Sequence, residues 1–118
     1  MSVKRREHSQ VAVLDIGGEF YGDRETDQLE QALKNEVGHG TRRLLLNLYD
    51  GRMMNSTALG VMHAASRALE AGGCEVRLCA VGNRVKSPLV MLRLMEWFKV
   101  HDTENEAIAA FTKTEAGA

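Results

Sequence analysis

The chain has 118 residues, the size of one domain and enough to bury a core without disulfides or a metal. Its 15 Lys and Arg against 16 Asp and Glu give a formal net charge of -1, and apart from Lys4-Arg5-Arg6 and Arg42-Arg43 the cations are scattered, which argues against a nucleic-acid-reading surface. No apolar run has the length of a membrane span and Met1 to Gln10 is too polar for a secretory signal, so the expectation is a cytoplasmic protein with no membrane partner.

Val3 to Glu7 reads as a short edge strand whose three consecutive cations discourage pairing with another molecule. A turn at His8-Ser9 leads to a strand over Val11 to Ile16, with Ala12, Leu14 and Ile16 on its apolar face and Gly17-Gly18 ending it. Asp23 to Val37 has the spacing of an amphipathic helix, with Leu29, Leu33 and Val37 on the apolar side and Gly38 and Gly40 as terminators. In the next strand, Arg43 to Leu48, Leu44, Leu45, Leu46 and Leu48 are apolar on both faces, the pattern of a central strand covered by helices. Tyr49 to Met54 then leaves the strand, with Gly51 as the breaker. A helix is predicted over Ala58 to Ala71, with Leu59, Met62, Ser66 and Leu69 toward the sheet and Gly60, His63, Arg67 and Glu70 toward solvent or a partner.

Gly72-Gly73 stops that helix, and Glu75 to Val81 reads as a strand with Val76, Leu78 and Ala80 on one side. Ser87-Pro88 carries a helix-start signal for the apolar run Leu89 to Phe98, with Trp97 anchoring its end. A short strand at Lys99 to His101 precedes a helix from Glu104 to Phe111, and Thr114 to Ala118 is expected to fray. Strands alternating with helices across Gly-marked loops indicate an α/β fold with a mixed, mostly parallel sheet of about five strands and about four helices. The expectation is a single domain over 1–118, its ordered core at about 3–112 and 113–118 a frayed C-terminus. Cys74 and Cys79 point to opposite faces of one strand and read as reduced packing residues. His8, His39, His63 and His101 are dispersed, so neither a metal nor a cofactor is expected.

Asn55-Ser56-Thr57, directly before the second helix, are short and polar, able to cap its N–H groups at an end that also welcomes an anion. Enzyme-type readings fail on spacing. Ser56 lies outside any Gly-x-Ser-x-Gly elbow, and His63 falls on an outward face. Gly17-Gly18-Glu19-Phe20-Tyr21-Gly22 lacks the dinucleotide fingerprint, and no Gly-Lys-Ser/Thr phosphate loop occurs. What remains is Ser56 as a phosphate acceptor, with plain helix capping as the alternative: a phosphate there adds roughly two negative charges without unravelling the helix, so its effect falls on whatever docks at that surface. Met53, Met54, Met62, Met91 and Met95 read as packing, with Met54 partly exposed and able to touch a partner. Tyr21 and Asp23 are expected near Ser56, where strand ends converge.

Leu44-Leu45-Leu46-Asn47-Leu48 and Asn55-Ser56-Thr57-Ala58-Leu59-Gly60 resemble the two parts of the STAS motif, as found in small bacterial anti-sigma factor antagonists. There an apolar strand carrying Asp or Asn leads to Asp-Ser-Ser/Thr-Gly-Leu-Gly at a helix start, and the serine is phosphorylated. Val11 to Gly18 with Glu19, Gly72-Gly73 with Val76 to Val81, and Glu106-Ala107 resemble flanking elements of that family. The resemblance implies an unphosphorylated domain that binds an anti-sigma factor serine kinase and thereby frees a sigma factor. The implied contact residues are Met54, Asn55, Ser56, Thr57, Ala58, Gly60 and His63. Phosphorylation of Ser56, with Thr57 as the fallback acceptor, would end binding and a PP2C-type phosphatase would restore it. On this reading ATP belongs to the kinase and the chain is not an enzyme; a homo-dimer is left open. Two positions depart from the family, its Asp being Asn55 and its Gly being Ala58. The implied alternative is a STAS scaffold in a larger stress-sensing assembly, and a small serine-dependent enzyme is least favoured.

Overall fold

The chain runs β1 (Ser2–His8), β2 (Val11–Phe20), α1 (Arg24–Gly38), β3 (Arg43–Asn47), β4 (Gly51–Met54), α2 (Ser56–Ala71), β5 (Glu75–Cys79), α3 (Asn83–Met91), a 3₁₀ turn (Leu94–Glu96), β6 (Lys99–His101) and α4 (Glu104–Ala116). This computed structural model describes the backbone of residues 2–116 and the side chains of residues 3–111. The sheet order is β1-β2-β3-β5-β6, with β4 pairing the far end of β2. Only β1 runs antiparallel to its neighbour, so the domain is α/β with a mixed, mostly parallel sheet. Among the described residues the sheet has 6 strands, in line with the expected count of about five. The one not anticipated is β4, in the stretch Tyr49 to Met54 read as leaving the strand.

β3 is the middle strand, as its leucines require. Successive side chains alternate between faces, so Leu44 and Leu46 join α1, α2 and α3 in one core, with Leu29, Leu33, Leu59, Met62, Val85 and Leu89. Leu45 turns to the other face and packs with Val13, Cys79 and the α4 residues Ala107, Ile108 and Phe111. Cys74 and Cys79 fall in different clusters, as their spacing predicts.

Several boundaries differ from the sequence reading for local reasons. The hairpin turn is Ser9-Gln10, both with left-handed φ (52° and 66°), the geometry that matches strand twist in a two-residue loop. β2 does not stop at Gly17-Gly18: a register shift between Gly18 and Glu19, with Gly18 at φ 104°, bends the strand so that its end pairs with β4. α2 begins at Ser56 rather than Ala58. β5 ends at Cys79, and Ala80, at φ 57°, turns to the α4 side instead of continuing the face of Val76 and Leu78. α3 begins at Asn83, before Ser87-Pro88, because Val85 and Leu89 one turn apart both reach the core and hold the helix across Pro88. It ends at Met91, and Leu89 to Phe98 is therefore not one helix. α4 continues past Phe111 to Ala116, while Gly117 and Ala118 of the expected frayed end lie outside the described residues.

Arg5 and Arg6 of β1 serve internal pairing rather than edge protection alone. Arg5 Nε donates to Glu36 at 2.9 Å, and Thr41 Oγ1 donates to the same carboxylate at 2.6 Å, so a Glu that is 1% exposed has partners on two sides. That carboxylate takes the inward position in the last turn of α1 and leaves Val37 65% exposed, against the expected Leu29-Leu33-Val37 stripe. Arg6 donates to Asp15 at 2.6 and 2.9 Å and to both oxygens of Glu104, the first residue of α4. His8 Nδ1 lies 2.6 Å from the same carboxylate, and Asn47 Nδ2 donates to it at 2.9 Å.

Glu104 thus fastens α4 to strands β1 and β3. The Arg6 hydrogen bonds, with those of His8 and Asn47, push its carboxyl down to about 2 from an ordinary 4.5, against the opposing effect of partial burial. A depressed folded-state pKa contributes stability that is present above pH 4.5 and is lost as the pH falls toward 2. Glu104→Gln is therefore expected to be less stable than the wild type at neutral pH, with the gap narrowing through that acid window. Urea denaturation at a series of pH values measures it, and a gap independent of pH would refute the clamp.

Candidate functional site

After β3 the chain must reverse and still reach the end of the sheet, and the polar groups at its turn make this possible. Asn47 Oδ1 accepts from the Tyr49 N–H at 2.9 Å, closing a short side-chain turn on the α4 side. Gly51 N–H donates to the Leu48 carbonyl at 2.9 Å. A Cβ at Gly51 would sit 3.2 Å from that carbonyl oxygen, so the return is tight enough to favour glycine. β4 then aligns Met53 with Glu19 and Met54 with Phe20, delivering Asn55 to the edge where β2 ends.

Asn55 is the joint between the sheet and α2. Its backbone N–H donates to the Phe20 carbonyl at 3.0 Å, its Oδ1 accepts from the Ala58 N–H at 2.9 Å, and its Nδ2 donates to the Tyr21 carbonyl at 2.9 Å. An aspartate could make the cap but has no proton for the Tyr21 carbonyl, and it would set a carboxylate oxygen against it. The departure from the family's Asp therefore has a structural use: the amide ties the β2–α1 loop to the helix start. Gly22 completes the contact. At φ +84°, a Cβ there would meet Thr57 Cγ2 at 2.8 Å. Gly22 N–H also donates to Thr26 Oγ1 at 2.8 Å, which holds the loop against α1. Tyr21 is thus beside the helix start, as expected, and is exposed.

Ser56 is the first residue of α2 and is exposed, at the end where helix N–H groups lack intrahelical partners. Thr57 and Gly60 are exposed as well. Met54 and Ala58 are fully buried, which corrects the expectation that they touch a partner: Met54 fills the core beneath the helix start, and Ala58 faces the same core beside Leu59. His63 does not simply face outward. Its ring packs 5.9 Å from that of Trp97 and 5.8 Å from that of Phe98, and its Nε2 is buried without a hydrogen-bond partner. Trp97, read as an anchor closing its own helix, instead stands over α2, with the Arg67 guanidinium 4.3 Å from its ring centre. No local pattern signals this contact, because it joins residues of two elements brought together by the sheet.

Burial pushes the Cys74 thiol up to about 11 and that of Cys79 up to about 12, which disfavours thiolate chemistry at neutral pH. Among the described residues no group of three His, Cys, Asp or Glu could hold a metal ion, and no helix is long and apolar enough to cross a membrane.

A hairpin edge, a parallel sheet, three helices on one face and one on the other define an α/β domain of the STAS class. The STAS domain model matches residues 2–107, and the chain belongs to that family. Among solved structures, it is similar to an anti-sigma factor antagonist from Mycobacterium paratuberculosis, with a TM-score of 0.80 and 24% identity over 92% of each chain. The Bacillus cell fate determinant SpoIIAA in its phosphorylated form gives a TM-score of 0.70 and 19% identity over 93% of this chain and 99% of that one. A sulfate transporter family protein from Wolinella succinogenes gives 0.74 and 18% over 94% and 91%. At these identities the likeness is one of fold. No curated protein matches the chain.

Asn55→Asp is expected to keep the Ala58 cap, lose the bond to Tyr21, and destabilise the domain by about 1 kcal/mol. Amide hydrogen exchange of the 21–23 loop should quicken in that variant, while exchange at Ala58 stays slow. Equal protection of the loop in both proteins would show that the amide tie is dispensable.

Proposed function

We propose that this chain is an anti-sigma factor antagonist whose docking to an anti-sigma factor serine kinase is switched off by phosphorylation of Ser56. The observation that carries the reading is the exposed Ser56 at the first position of a helix whose start is already held by Asn55. Because the cap and the loop contact use Asn55 and not Ser56, the Ser56 hydroxyl can be modified without removing a bond that sets the helix direction. A phosphate there meets the positive end of the helix and a neutral amide neighbour, so the fold tolerates it, and the change is one of charge on the docking face. Membership of the STAS family, and antagonists among the structural neighbours, support the same reading.

The docking face is the exposed side of α2. Ser56, Gly60 and His63 lie at spacings of four and three, one above the other, with Asn55 and Thr57 at the top. Gly60 has no structural need to be glycine: a Cβ there would meet nothing within 4 Å. A mid-helix glycine costs about 1 kcal/mol relative to alanine, and what it supplies is a low point where a partner can approach the backbone. The kinase brings ATP, Ser56 Oγ takes the terminal phosphoryl group as ADP leaves, and a PP2C-type phosphatase hydrolyses the ester to restore binding. The chain acts as substrate and ligand rather than catalyst, in the cytoplasm. The alternative is a STAS scaffold in a larger assembly, in which large homomeric particles would form and phosphorylation would not matter.

Incubation with the cognate kinase and ATP is expected to add one phosphate to the intact mass of the wild type and none to Ser56→Ala. Binding should survive in Ser56→Ala and fall in Ser56→Asp. An unchanged mass, or a phosphate that persists in Ser56→Ala, would overturn the assignment. Gly60→Ala is expected to raise stability by up to about 1 kcal/mol in thermal or urea unfolding while weakening kinase binding. A gain in both would show that the low point has no docking role.

A further inference from the structure

Among the described residues, four of the seven large apolar side chains left exposed lie in one short stretch, Val90, Met91, Leu92 and Trp97, with Met91 83% and Trp97 54% exposed. The backbone there is not relaxed. α3 stops at Met91, Arg93 takes a left-handed φ of 59°, and the 3₁₀ turn then carries the chain to Trp97. A non-glycine residue in that region carries a modest energetic cost.

Trp97 is exposed but held. Its ring packs against His63 and lies under the Arg67 guanidinium at 4.3 Å, both residues of α2. Ser56, Gly60, His63 and Arg67 follow one another at spacings of four, three and four along a single face, about 16 Å from end to end at 1.5 Å per residue. Trp97 therefore stands at the far end of the stripe that begins at Ser56. A large aromatic fixed in place before binding loses little freedom on association, and such residues dominate interface energies.

Charge points to the occupant. The segment 83–99 carries Arg84, Lys86, Arg93 and Lys99 against Glu96, in a chain whose formal net charge is -1. All five of these side chains are exposed. Two copies of a basic surface repel each other, and the C-terminal helix α4 is committed to the opposite face of the sheet, so neither a second copy nor that helix suits this surface.

We propose that Val90, Met91, Leu92 and Trp97 form the second half of the docking surface and receive an amphipathic helix of the anti-sigma factor kinase, apolar along one ridge and acidic at its flanks. The proposal rests on the reading of the chain as an antagonist and adds the chemistry of the partner. Ser56 governs one end of the contact and Trp97 anchors the other.

The test is calorimetric titration of the purified cognate anti-sigma factor kinase with the wild type, Trp97→Ala, Met91→Ser, Lys86→Glu, Ser56→Asp and a control, Val37→Ser, on a different helix. Trp97→Ala and Met91→Ser are each expected to weaken binding by about tenfold or more. Lys86→Glu should weaken it several-fold and reduce its salt dependence, and Val37→Ser should leave it unchanged. Met91 is so exposed that its variant should keep the wild-type melting curve, which guards against Trp97→Ala simply unfolding. Binding that responds to Ser56→Asp but not to Trp97→Ala or Met91→Ser overturns this inference and leaves the antagonist reading intact. Binding that responds to Trp97→Ala but not to Ser56→Asp supports this face and overturns the phosphorylation switch. No binding by the wild type overturns both. A dimer in sedimentation velocity of the chain alone, dispersed by Met91→Ser, would make the occupant a second copy and overturn the proposal.

Discussion

The constraint from which the domain follows is the need to bury both faces of β3. Leu44 and Leu46 on one side and Leu45 on the other cannot be satisfied by a two-layer fold, so helices must cover the sheet above and below. Once β3 is enclosed, the polar business of the chain moves to the strand ends. The helix that follows β3 and β4 starts there, and its first residues are the only ones on that helix that combine exposure with the free N–H groups of a helix start.

Asn55 converts this placement into a defined surface. One side chain caps α2 and ties down the β2–α1 loop, so Ser56 is presented from a fixed helix and not from a mobile loop. A regulator that works by charge needs this separation. If the hydroxyl itself capped the helix, phosphorylation would alter the helix start as well as the surface, and shape and charge would change together. With Asn55 carrying the structural duty, a charge added at Ser56 on the proposed docking face would leave the scaffold in place. The buried Glu36 and the Glu104 cluster extend the same logic: Arg5 and Arg6 of β1 hold α1 and α4 through these carboxylates.

The stripe from Ser56 to Trp97 belongs to two elements that are distant in sequence. α2 supplies the row, and the irregular segment after α3 supplies the apolar end. A continuous helix over Leu89 to Phe98 would have distributed those apolar residues around its axis. The left-handed Arg93 and the 3₁₀ turn instead bring Trp97 against α2.

The sequence by itself determined the α/β alternation, the central position of β3, the sheet-facing side of α2 and the placement of the two cysteines on opposite faces, because these follow from periodicity that burial enforces. It also carried the motif around Ser56, and Asn55 was legible as a cap because short polar side chains at a helix start have few other uses. Tertiary structure decided what periodicity leaves undetermined. Gly18 could end a strand or bulge it, and pairing with β4 selected the bulge. Glu36 and Val37 are adjacent on the same helix, and Arg5 from another strand drew the carboxylate inward. Met54 and Ala58 sit beside an exposed serine in the chain, yet the core claimed both; Trp97 reached α2 only because β6 joined the sheet next to β5. In each case the deciding partner was remote in sequence, and a local pattern carries no information about a contact that the folded sheet creates.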